Sequence, residues 1–106
     1  MRELQDAVRA FVVRYNMKTS PEIRFIDLVS EVGELGKELL KGSGYGKTKF
    51  VALESLDVIK DEFGDVIFSL LCLADICGVS LEDSLTAAMA KYERRIAGRG
   101  TAGSEP

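Results

Sequence analysis

Apolar residues near the start of the chain, Leu4, Val8, Phe11 and Val12, recur at the spacing of one helical face and predict a first helix from about Glu3 to Tyr15. The segment MKTSPE breaks it. Ser20 before Pro21 reads as an N-cap followed by proline in the first turn, so a second helix starts there and runs to about Leu40. Its apolar stripe is Leu28, Val32, Leu35 and Leu39. The glycine-broken segment KGSGYGKTK is a loop, and a third helix follows from about Val51 to Ile76. Gly78 ends that helix, and Ser80 with Asp83 three residues on is close to a capping box for a fourth, which runs to about Ile96. No segment shows the alternation of a strand. The pattern predicts an all-α fold, a four-helix-type bundle of antiparallel helices in one domain of residues 1–97, with 98–106 (GRGTAGSEP from Gly98) as a small, polar, disordered tail.

Composition narrows the function. A chain of 106 residues, 46% hydrophobic and 29% charged, can bury a core without disulfides. Its 14 Lys+Arg against 17 Asp+Glu give a net charge of −3, so there is no basic excess for a nucleic-acid partner. It has no histidine, which excludes His-based triads and His–zinc sites. Cys72 and Cys77 would point about 140° apart on one helix, so they read as reduced, buried small hydrophobes. The longest uncharged run, VIFSLLCLA from Val66, is too short to span a bilayer, and the N-terminus lacks a signal-peptide core. A cytoplasmic protein without a membrane partner is expected. That same run is apolar on every side, more than a short chain can cover, and predicts a homodimer or homotetramer.

Candidate chemistry lies in carboxylates. Asp27, Glu31, Glu34 and Glu38 sit one residue before the apolar stripe of the second helix and form an unbroken acidic stripe beside it. Such neighbours repel one another. Glu62 and Asp65 stand one turn before the apolar run of the third helix, where free solvation is poor. Each pair brackets a glycine, EVGE with Gly33 and EFGD with Gly64, which points to a close approach there of the two helices, or of something else. Two i,i+3 carboxylate pairs on antiparallel neighbours would converge on one point, and an all-oxygen donor set suits Mg²⁺ or Mn²⁺. The plainer alternative is a set of solvated surface acids. GSGYGKTK is no P-loop: the glycine the pattern requires falls on Lys41, and no strand precedes it. Lys47 and Lys49 are read as loop lysines able to reach phosphates, and Tyr45 and Tyr92 as packing residues able to stack on a base.

The pair ExxE…ExxD, with 27 residues between its halves, resembles the signature of MazG-like nucleoside triphosphate pyrophosphohydrolases. SEVGELGKELL is similar to that family's second helix, DEFGDVIFSLLCLADICGVSLEDSL to its third helix and following turn, and AMAKYERRI to the basic end of its fourth. The resemblance covers about Phe25 to Ile96. It implies an all-α homo-oligomer that cleaves (deoxy)nucleoside triphosphates to monophosphate and pyrophosphate with Mg²⁺, Mn²⁺ being an alternative, in nucleotide-pool housecleaning. Carried over by position, Glu31, Glu34, Glu62 and Asp65 would be metal ligands, and Lys91 and Arg95 would contact substrate. Glu34 or Glu38 would orient the water that attacks the α-phosphorus. The chain departs from the family at Ser30, where many members have Glu, and at Met89, where many have Asn; the second change bears on nucleotide preference. Two other functions stay open: a phosphoribosyl-ATP pyrophosphohydrolase-like activity, and a non-catalytic helical dimer that serves as a binding module.

Overall fold

The structure is a computed structural model that describes residues 1–47, 49, 52–100 and 103, with side chains 52–56 left aside. It is all-α: α1 (Arg2–Arg14), α2 (Pro21–Gly42), α3 (Ala52–Ile76) and α4 (Leu81–Arg99). The helices start and stop for local reasons. Ser20 caps α2 by accepting from the Ile23 amide at 3.2 Å, with Pro21 in the first turn. Ser80 caps α4 by accepting from the Asp83 amide at 3.3 Å. Gly78 takes a left-handed φ of 69°, which lets the Val79 amide reach back to the Ala74 carbonyl at 2.9 Å and close α3. Asn16, at φ 54°, does the same for α1 through Met17 and Val12, an ending the sequence pattern left unassigned. α4 continues through Gly98 and Arg99, whose guanidinium donates to the Gly103 carbonyl at 2.6 Å. The rest of the expected tail, 101–102 and 104–106, lies outside the described residues, as does Val51.

α2 and α3 pack along much of their length and form the body of the chain. They run antiparallel: Arg24 meets Phe68 while Glu31 meets Glu62 and Asp65. α1 lies against α3, with the Phe11 ring edge-on to Phe68 at 5.8 Å. α4 is the exception to a simple bundle. It leaves α3 at 101° and meets the other helices mainly through α1. One buried side chain sets that turn. Gln5 donates to the Val79 carbonyl at 2.6 Å and accepts from the Leu81 amide at 3.1 Å. Ion pairs of Arg2 with Glu82 and Asp83, and of Arg9 with Asp75, frame it at the surface.

Little of the apolar surface is enclosed. Ile59, Leu71, Cys72 and Ala74 are the buried apolar residues among those described. α4 buries none, and Leu85, Met89, Tyr92 and Ile96 form an exposed stripe on it. The radius of gyration is 16.9 Å, against about 13 Å for a compact domain of this length. Cys77 is exposed, unlike the buried thiol expected of it, because the turn at Gly78 lifts it off α3; Cys72 is buried, and both are free. No single helix among the described residues is long and apolar enough to cross a membrane.

Candidate active site

The acidic side chains meet where the middle turns of α2 and α3 face each other. Glu31, Glu62 and Asp65 each offer a carboxylate oxygen, and the three oxygens lie within 4.8 Å of one another. Glu31 and Glu62 are half-buried and Asp65 is exposed. Burial pushes the Glu31 carboxyl above the ordinary range, and the charges of Asp65, Glu34 and Asp27 push it further. Burial raises Glu62 likewise, with Asp65, Glu31, Glu34 and Asp61 adding to the effect.

The Glu62 Oε2 atom is buried and has no hydrogen-bond partner. A carboxylate oxygen withdrawn from water and facing other acceptors is unfavourable unless a cation meets it. The oxygen-only donor set fits a hard divalent ion such as Mg²⁺ or Mn²⁺. The three carboxylates together would hold it.

The other expected site residues are placed differently. Glu34 is exposed and lies outside the trio, although its charge is felt by both Glu31 and Glu62. Glu38 is half-buried and turned to Lys41, with Oε1 3.3 Å from its Nζ. Lys91 and Arg95 are on α4 and flank the Tyr92 ring, at 5.1 and 6.0 Å from its centre. Because α4 diverges from α3, a single protomer does not bring them onto the acid cluster. Of the two readings of Gly33 and Gly64, close helix contact is not the one seen: a Cβ on either would meet nothing within 4 Å in the protomer, which leaves the approach of something else.

Sequence reasoning passed over Arg24. It is only 7% exposed, its Nη2 donates to the Met17 carbonyl at 3.2 Å, and its Nη1 lies 3.6 Å from Asp27. Its position seven residues before Glu31, on the same helical face, was the available signal.

The Bacillus subtilis (strain 168) protein YpjD, itself uncharacterized, is 31% identical over 102 residues, covering 95% of this chain and 90% of its own length. No solved structure matches the chain significantly. Residues 20–99, from the N-cap of α2 to the end of α4 and so including every carboxylate above, match the MazG nucleotide pyrophosphohydrolase domain. The chain belongs to the MazG nucleotide pyrophosphohydrolase family.

Proposed function

We propose that the protein hydrolyses (deoxy)nucleoside triphosphates to monophosphate and pyrophosphate, by water attack at the α-phosphorus, as a housecleaning enzyme of the nucleotide pool. The observation that carries this reading is the convergence of Glu31, Glu62 and Asp65 around an unpartnered buried carboxylate oxygen, within a matched MazG domain. Those three residues would hold Mg²⁺, which would supply positive charge between the acids and the triphosphate and offset the charge that develops on its phosphates.

The chain supplies the rest. Glu34, exposed and near enough for its charge to act on both Glu31 and Glu62, orients the attacking water and takes its proton. Glu38 is the weaker candidate, because Lys41 already engages it. Lys91 and Arg95 bind the phosphates. They reach the acids from a second copy, so the working unit is a homo-oligomer whose α4 stripe of Leu85, Met89, Tyr92 and Ile96 is covered by assembly.

A pyrophosphate-release assay over standard and modified (deoxy)nucleoside triphosphates tests the reading, run with Mg²⁺, Mn²⁺ or chelator. Metal-dependent monophosphate and pyrophosphate are expected, with turnover abolished by Glu62→Gln while helicity is kept. Orthophosphate as the first product, or unchanged turnover in Glu62→Gln, refutes it.

A further inference from the structure

We infer that the cavity between the end of α1, the α1–α2 turn and the last turns of α3 seats the nucleobase, and that it selects a 6-oxopurine; this rests on the nucleotide reading of the acid cluster. The cavity holds about 320 Å³ and is walled by Val12, Val13, Met17 and Ile76, apolar surfaces suited to the faces of a planar ring. Its place along the helices fits a nucleotide. Arg24 lies seven residues before Glu31 on α2, and Cys72 lies seven residues after Asp65 on α3, and both line the cavity. Seven residues return a helix to nearly the same face and advance it by about 10 Å. The cavity and the acids therefore share one side of the α2–α3 pair. Their separation is comparable to the reach from an α-phosphorus to the far edge of its base.

The polar groups in the cavity are of two kinds. Arg24 is nine-tenths buried, and its Nε–H has no hydrogen-bond partner. Asp75 lines the same cavity and holds Arg9 at 2.5 Å through Oδ1. A guanidinium and a carboxylate lining one cavity suit a base edge on which a carbonyl oxygen adjoins a ring N–H. Arg24 donates to O6, and Asp75 accepts from N1–H and, in guanine, from the 2-amino group. Adenine and cytosine place an amino group where Arg24 needs an acceptor; uracil and thymine repeat the oxo and ring N–H pair, but a single ring spans less of the distance from the acids to the cavity than a purine does. Arg9 and Lys18 also line the cavity, so its net charge is positive and favours oxo groups.

The test is NMR titration of the full-length protein with guanosine, inosine, adenosine and cytidine, followed at the amides of Cys72 and Ile76. Guanosine and inosine should bind about tenfold or more tightly than the other two. Arg24→Gln and Asp75→Asn should each erase that preference, Val12→Trp should remove binding of all four, and Glu62→Gln should leave the preference intact. Asp75→Asn and Val12→Trp decide the matter if Arg24→Gln does not fold. Equal affinity for the four nucleosides, or a preference that survives both Asp75→Asn and Val12→Trp, overturns the inference. Nucleosides carry no phosphate, so a guanosine preference without any pyrophosphate release would refute the hydrolase reading and leave the base pocket standing.

Discussion

Replacing Gln5 by Ala tests what orients α4. The side chain is 6% exposed and makes two hydrogen bonds across the α3–α4 turn, at 2.6 Å to Val79 and 3.1 Å to Leu81. Each such bond contributes about 0.5–1.5 kcal/mol net, and a buried backbone group left without a partner costs about 1–3 kcal/mol. The substitution should therefore destabilise the fold by roughly 2–3 kcal/mol. For a chain of 106 residues that corresponds to a drop in Tm of about 10 °C. The assay is thermal melting by circular dichroism at one fixed protein concentration, since assembly would otherwise shift Tm. Ser80→Ala is the control. It removes the cap of the same helix, at a cost of about 1 kcal/mol, and leaves the Gln5 bridge in place. A Tm for Gln5→Ala at or above that of Ser80→Ala would refute the assignment of Gln5 as the pin.

Other outcomes follow from the acids and from α4. Glu31 and Glu62 have raised carboxyl pKa values, so above the ordinary carboxyl range, near 4.5, the folded chain binds more protons than the unfolded one. Stability of the metal-free protein should thus be highest below that value and fall as pH climbs through the raised pKa values, and Mg²⁺ should restore it at pH 8; melts with chelator that show no such fall would contradict the burial of these carboxyls. Lys91→Ala should raise KM about tenfold, the loss of one charge-assisted contact, with a smaller change in kcat, as steady-state kinetics would show. At substrate well below KM, where Lys91→Ala chains alone turn over slowly, mixing them with Glu62→Gln chains should bring turnover to about a quarter of wild type if sites form between two copies, because half of the dimers are mixed and each holds one intact site. Met89→Asp, in the middle of the exposed α4 stripe, should dissociate the assembly in sedimentation velocity; an unchanged sedimentation coefficient would place the interface elsewhere.

Much of the fold was legible because its signals are local. The Ser20–Pro21 start, the Gly78 stop and the Ser80 cap depend on residues within a turn of one another, and each lies where the pattern placed it. The acidic stripe was legible for the same reason: helical period alone puts Glu31 and Glu34 on one side of α2. The angle of α4 was not, because Gln5 sets it across 74 and 76 residues of sequence, and a lone glutamine in an amphipathic helix carries no mark of that role. Nor was the separation of Glu34 from the other three acids, which depends on where a neighbouring helix sits and not on spacing. Arg24 was hidden by its type, since arginine on a helix is ordinarily a surface residue.

The two motif glycines carry a consequence for protein engineering. Gly33 and Gly64 lie inside helices, where each costs about 1 kcal/mol relative to alanine, and the chain has open space at both. Selection for heat tolerance alone should therefore drive both positions to alanine, yielding about 2 kcal/mol at no steric cost within the protomer. Selection for turnover should hold glycine wherever substrate or a second copy uses that space. A library varied at these two codons and sorted under each pressure in turn would map, from the residues kept, which free volume beside the acids is functional and which is merely empty.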